Sequence, residues 1–342
     1  MAPTPRRPMI ISPLWLQATV LLFVVGFSVL FYLAIRTYQD QPPIPEQVAS
    51  ETGETLFTRS DVLAGQHVFQ KYGLMQYGTM FGHGAYLGPD FTADYLHRQA
   101  GLMVASSALP GGEEAAAIDR MRRELRGNRY DPASGVLTFS AGQTLAFHGL
   151  VQAYSDFFSD PVGRAGLPPR LIVDPGELYQ LTSFFAWGAW ATTARRPGTD
   201  YSYTNNWPPD PLVGNAPTSD ALIWSMLSII ALLSGVGIVL YFFGRYDWLG
   251  WRGAGEQTPV RFLRPGEVAL TPGQRSTVWF FLVMALLFLA QTLVGGLTAH
   301  YRAEPGSFFG INLPQVLPYN LTRIWHVQLA IFWVATSYVA AE

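Results

Sequence analysis

Four stretches of this chain are too long and too apolar for ordinary core segments, and any fold must accommodate them. They run over residues 12–35, 221–243, 277–299 and 321–341. A helix needs about 20 apolar residues to cross the hydrocarbon core of a bilayer. Inside that core only a helix or a closed barrel satisfies its own backbone. The pattern therefore predicts four transmembrane helices. The first stretch is longer than the apolar part of a secretory leader, and no small-residue cleavage site follows it before Arg36, so it reads as an anchor. Hydrophobic residues make up 49% and charged residues 13% of the chain, in keeping with a membrane protein. A net charge of −2 gives no polycationic surface, and no nucleic-acid partner is expected.

Basic loops favour the cytoplasmic side. Arg6 and Arg7 precede the first stretch, and the loop 244–276 carries Arg245, Arg252, Arg261, Arg264 and Arg275. Residues 37–220 and the short loop 300–320 then lie outside, on the periplasmic side of a bacterial inner membrane. Three regions follow: a tail and first helix (1–36), an outer domain (37–220), and three further spans (221–342). The last span ends with the sequence at Glu342, so the expectation is the N-terminal portion of a longer protein.

The outer domain reads as mainly α. Helices are expected over 58–74, capped by Ser60 or Asp61; from Thr92 or Asp94 to Pro110; over 113–128, closed by Gly127 and Asn128; and over 176–194. Extended chain is expected near 135–140 and 168–174. The run "SYTNNWPPDPLVGNAPTSD" (202–220) reads as an extended linker, with Ser219 or Asp220 capping the second span. Trp187, Trp190 and Trp207 read as packing or interface anchors.

The chain has no cysteine, which excludes disulfides, thiolate metal sites and thioether-bound haem. Nitrogen and oxygen ligands remain, among them six histidines: His67, His83, His97, His148, His300 and His326. His83, alone in a Gly-rich loop, reads as solvated. His326 lies inside the fourth stretch, where an ionisable group must face a bundle and find a partner. Spacing alone leaves two readings open, a hydrogen-bonded core histidine or a haem ligand. Arg323, three residues earlier and on the same helical face, reads as an interfacial anchor or as a partner for a haem propionate. "LTAHYRAEPGSFFG" (297–310) sets His300 and Glu304 at the end of the third stretch, with Phe308 and Phe309 close behind. Pro305 disfavours α conformation at Glu304, so the helix should end near 301–303. An interfacial histidine beside a solvated carboxylate is one reading. The other is a pocket in which two proton acceptors stand beside an aromatic wall.

Three runs carry a family resemblance: "FGHGAYLGPDFT" (81–92), "SYTNNWPPDPLVGN" (202–215) and "GGLTAHYRAEPGSFFGINLPQVLPYNLTRIWHVQLAIFWVATSYVAA" (295–341). The chain resembles the quinol-dependent nitric oxide reductases of the haem–copper oxidase superfamily, over their N-terminal portion. In that family the small subunit is fused to the catalytic one and has lost haem c, and "LMQYG" (74–78) stands here where CxxCH would be. The resemblance implies a mainly α membrane protein with a periplasmic cytochrome-c-like domain lacking haem c. It implies His326 as an axial ligand of low-spin haem b, Arg323 on a haem propionate, and His300, Glu304 and Phe308 at the quinol. Gly84 and Tyr86 match positions that help hold calcium, although a plain Gly-rich turn explains the same residues. The implied reaction reduces two nitric oxide molecules to nitrous oxide and water with electrons from quinol, in denitrification.

The implied enzyme also carries a high-spin haem b, a non-haem iron and a second haem b ligand, which this chain cannot supply. Catalytic ligands are expected in a C-terminal portion. Expected partners are quinol, nitric oxide, the lipid bilayer, that C-terminal portion and, as an option, a second copy in a homodimer. Two rivals remain: a quinol-linked oxidase relative with another substrate, and a haem-free membrane sensor.

Overall fold

The computed structural model describes residues 13–85, 87–107, 114–162, 167–245, 271–303 and 307–341. By its contacts the chain divides into two units, Met1–Pro43 and Ile44–Glu342.

The first unit is one helix, α1 (Pro13–Gln39). Its last turn carries an Arg36–Asp40 ion pair at 3.1 Å. Over residues 20–35 the side chains are exposed and, Ser28 apart, apolar or aromatic, as a lipid-facing helix requires.

The second unit opens with β1 (Gln47–Ser50), β2 (Thr55–Thr58) and α2 (Arg59–Lys71). Thr58 caps α2, in place of the expected Ser60 or Asp61. Asp61 instead reaches back, accepting from the Thr58 backbone at 2.8 Å and its hydroxyl at 2.7 Å. The Gly-rich loop folds into a short ribbon, β3 (Thr79–Met80) with β4 (His83–Gly84). It is followed by α3 (Phe91–Ser107) and α4 (Glu114–Arg126). Next come β5 (Tyr130–Asp131), β6 (Val136–Phe139), α5 (Ala141–Phe158) and α6 (Pro175–Thr193). The larger sheet has the order β2–β1–β6–β5, with β1 parallel to β6 and antiparallel to β2.

The core is built around α6. Asp174 caps it by accepting from the Glu177 N–H at 2.8 Å, and Pro175 takes the first position. From Leu178 onward nearly every residue is buried, so α6 has no solvent face. Its buried hydroxyls bond back along the helix, as Thr182 does to the Leu178 carbonyl at 2.8 Å. Gly65 lets α2 lie directly on it, since a Cβ there would sit 2.0 Å from the Gln180 carbonyl oxygen. Phe185 of α6 stacks on Phe91 of α3 at 4.9 Å, and Phe69 of α2 meets Phe91 edge-on at 6.0 Å.

Two expected extended stretches fail in this domain. Residues 168–174 form no strand; Arg170 and Ile172 donate to the Asp160 and Phe158 carbonyls after α5. Residues 202–218 are a folded cap, not an extended linker. Asp210 and Asn215 are buried there, and the Asn215 side chain donates to the Thr192 and Pro208 carbonyls at 3.0 Å each. The residue capping the next helix is Thr218, whose hydroxyl accepts from the Ala221 N–H at 3.3 Å.

Three long helices follow: α7 (Ser219–Arg245), α8 (Pro272–Ala303) and α9 (Tyr319–Ala341). Among the described residues, three helical stretches are long and apolar enough to cross a membrane: Val20–Gln39, Ser219–Phe242 and Pro272–Tyr301. The fourth expected span is α9, a helix of 23 residues packed along α8. Asn320, Arg323, His326 and Gln328 place its amide and basic groups in the N-terminal half.

Candidate functional site

The facing ends of α8 and α9 and the loop between them carry His300, Phe308, Arg323 and His326. His300 stands in the last turn of α8, which ends at Ala303, close to where Pro305 suggested. Its ring lies 4.8 Å from Phe308 edge-on and 4.4 Å from Phe309, and the two phenylalanines meet at 4.9 Å. A tight hairpin holds this cluster. Phe308 and Ile311 exchange backbone hydrogen bonds of 2.8 and 3.0 Å. Phe309 and Gly310 both take positive φ, at 51° and 82°, the pairing of a primed hairpin turn. A bulky residue at positive φ is costly, and here it leaves the Phe309 ring 76% exposed beside the imidazole. Glu304 lies outside the described residues.

Two turns into α9, the His326 ring is pressed against α8. Its Nδ1 lies 3.0 Å from the Gln291 carbonyl oxygen, and the Gln291 side-chain amide is 3.3 Å from both ring nitrogens. Gly295 makes the room, because a Cβ there would stand 2.6 Å from the ring's Cε1. If Nδ1 donates to that carbonyl, the tautomer is fixed and Nε2 carries the lone pair, with the Gln291 amide N–H as its near donor. Arg323 is exposed on the same helix.

The outer domain closes over this end through side chains that sequence reasoning passed over. Lys71, the sole lysine of the chain, pairs with Glu177 at 2.7 Å, and Tyr72 donates its hydroxyl to the other Glu177 oxygen at 2.7 Å. Burial, then the Glu177 hydrogen bond and charge, push the Tyr72 phenol above its ordinary range. Lys71 and Glu177 wall a cavity of about 680 Å³, completed by His67 and Gln180 on one side and Asn312 and Gln315 on the other. Tyr319, the first residue of α9, donates to Gln76 at 3.0 Å and lies over Gly73, whose φ of 61° and lack of a side chain both suit the contact. A lone lysine facing a helix-capping turn was the available sequence signal for this clamp.

The loop expected to hold calcium has a steric account. Gly84 sits at φ 142°, and a Cβ there would be 2.3 Å from the Gly78 carbonyl oxygen. The nearby carboxylate, Asp90, is taken up by the loop itself: it accepts from the Thr79 hydroxyl at 2.5 Å and from the Gly82 and Ala93 N–H groups at 2.6 and 2.9 Å. Among the described residues no three His, Asp or Glu side chains converge as a metal site. Tyr86 lies outside the described residues, and His83 is exposed. Where a haem-attachment motif would stand, Leu74 is fully buried and Tyr77 nearly so, filling the space with core packing.

Residues 45–209 match the cytochrome c-like domain of the NorB nitric oxide reductase family. Over these residues the chain is similar to that family. No curated protein matches the chain. The match covers the sheet, α2 to α6 and the start of the folded cap. The reductase-type domain thus sits on the loop that carries Phe308, and its own Lys71–Glu177 clamp faces that loop.

Proposed function

We propose that the chain is the N-terminal portion of a quinol-dependent nitric oxide reductase, with four spans and its cytochrome c-like domain on the periplasmic side of a bacterial inner membrane. The observation that carries the reading is the cluster of His300, Phe308 and Phe309 at the outer end of α8. One helix away His326 has its Nδ1 engaged. Quinol oxidation releases two protons and two electrons. A neutral His300 imidazole accepts one hydroxyl proton, and Glu304 in the adjoining loop is assigned the second. The Phe308 ring supports the face of the quinol ring.

His326 and Arg323 would hold a low-spin haem b, the one at its iron and the other at a propionate, and that haem would supply a one-electron acceptor. The Gln291 carbonyl beside Nδ1 would fix the tautomer, leaving Nε2 for iron once the Gln291 side-chain amide turns away from it. Reduction of two nitric oxide molecules to nitrous oxide and water consumes two electrons and two protons. That balances one quinol. The high-spin haem, non-haem iron and their ligands are assigned to sequence beyond these residues. Calcium at Gly84 and Tyr86, and a homodimer, are further family features that belong to the same reading.

Steady-state quinol oxidation coupled to nitric oxide consumption tests the site. His300→Ala should lower quinol-driven turnover at least tenfold with haem content unchanged, a loss in the usual range for removing a general base. Turnover at the wild-type rate in that variant would remove His300 from the quinol site.

A further inference from the structure

We propose that a cleft at the C-terminal end of α4 binds an oxyanion of the phosphate class. The cleft measures about 720 Å³ and is walled by Arg122, Arg123 and Arg126 of α4 and by Arg195 just beyond α6. Backbone contacts bring the two elements together. The Arg195 N–H donates to the Arg126 carbonyl at 3.1 Å, and the Asn128 side chain donates to the Arg195 carbonyl at 3.0 Å. Two of the guanidinium groups are held in place by the folded cap. Arg122 donates to the Leu212 and Pro211 carbonyls at 2.9 and 3.2 Å, and Arg126 donates to the Gly214 carbonyl. A guanidinium carries five N–H donors, so both keep donors for a ligand.

What singles out the cleft is charge without a counter-charge. Four other cations of this domain are matched: Arg59 with Glu46, Lys71 with Glu177, Arg98 with Asp94 and Arg129 with Glu51. Among the described residues none of the four cleft arginines forms an ion pair, and the one acid on the wall is Asp119, which is exposed. Burial, with the Arg195 and Arg122 charges close by, lowers the proton affinity of Arg126. Basic side chains are favoured in the last turn of a helix, which accounts for Arg123 and Arg126. It does not account for Arg122, nor for Arg195 arriving from another element.

Planar guanidinium forks suit tetrahedral oxyanions, to which they donate in pairs. Such a ligand could be free phosphate or the phosphodiester of an anionic phospholipid. The cleft lies near a membrane entry point, since Gly214 on its wall shortly precedes Ser219, where α7 begins. The chain between them spans at most roughly 17 Å when extended. This inference does not rest on the quinol and haem assignments.

The test uses the full chain in a zwitterionic detergent, titrated calorimetrically with inorganic phosphate. In parallel, its melting temperature is compared in nanodiscs of phosphatidylglycerol and of phosphatidylcholine. Arg123→Gln with Arg195→Gln removes the two arginines that hold no loop carbonyl through their side chains, and circular dichroism checks the fold. If free phosphate is the ligand, wild type binds it saturably and the double variant binds about tenfold or more weakly. If the lipid is the source, phosphatidylglycerol raises the melting temperature of wild type but not of the variant, and phosphate does neither. Arg123→Gln alone, at an exposed position, should give a smaller loss in the same direction. No response to either ligand, or equal binding by wild type and variants, overturns the proposal.

Discussion

Gly295 sets how closely α9 can bring His326 to the backbone of α8. A methyl group at that position would stand 2.6 Å from the imidazole, whereas one at the neighbouring Gly296 would meet nothing within 4 Å. Gly295→Ala should therefore displace the ring and cost roughly 1–3 kcal/mol, while Gly296→Ala serves as the control. If His326 holds haem b, the first variant loses or shifts the low-spin b-type spectrum and the second retains it. Identical spectra from the two variants would break the link between this packing and the haem.

The buried tyrosine pair Tyr95 and Tyr154 makes a second residue-scale contrast. Their rings stack at 6.2 Å, and Tyr154 donates to Asp94 at 2.8 Å. The Tyr95 hydroxyl is fully buried with no hydrogen-bond partner among the described residues. An unpaired buried hydroxyl costs stability and a paired one adds to it. Tyr95→Phe should be neutral or stabilising by up to about 1 kcal/mol, and Tyr154→Phe destabilising by about 1 kcal/mol or more. Thermal unfolding of both variants decides it, and a drop on Tyr95→Phe as large as on Tyr154→Phe would contradict the packing described.

Among the elements, α5 shows how a legible signal can be passed over. Ser140 and Gln143 form a reciprocal cap: the Ser140 hydroxyl accepts from the Gln143 N–H at 3.2 Å, and the Gln143 side chain accepts from the Ser140 N–H at 3.0 Å. Ser140 also donates to Glu124 at 2.7 Å, tying α5 to α4. Ser140→Ala should cost roughly 1–2 kcal/mol, read as a lowered melting temperature of the outer domain. A change within error would mean that the cap contributes nothing. The S-x-x-Q spacing was there to be read, whereas the tie to Glu124 is tertiary and invisible in the chain. The same division runs through the rest. Helices α2, α3, α4 and α6 announced themselves by apolar periodicity, and α8 ended where Pro305 implied. The cap over 202–218 did not, because prolines and asparagines look alike in a linker and in a knot. It is fixed by long-range bonds from Asn215, Arg122 and His97, the last to Asp210 at 2.9 Å. The candidate site was legible in part, since His300, Phe308 and Phe309 stand close in sequence and their rings meet in the fold. The Lys71–Glu177–Tyr72 clamp joins positions far apart in sequence, and periodicity has no access to such pairings.

For the molecule as a whole, the raised phenol groups fix a direction for pH dependence. Burial raises Tyr95, and burial together with Asp94 raises Tyr154. In an unfolded chain both would ionise near pH 10. The folded state therefore binds more protons than the unfolded state above that pH. The stability these two groups contribute is intact below about pH 10 and falls as the pH rises beyond it. Melting temperatures followed from about pH 8 to about pH 11 should decline at the alkaline end, less steeply in Tyr95→Phe. A flat profile would contradict the burial of these rings.

At the same scale, a domain similar to that of a reductase family is seated over a loop whose two aromatic rings meet His300, beside a helix whose His326 is held against Gln291. Electrons would enter this arrangement from quinol through a haem at His326. The direct measurement is the visible spectrum of the native membrane protein, recorded anaerobically as quinol and then nitric oxide are added. The expected result is that quinol brings up the Soret and α bands of a ferrous b-type haem, that nitric oxide reoxidises it, and that His326→Ala lacks the low-spin bands. A protein without b-type bands, or one whose bands ignore quinol, would contradict electron entry by this route.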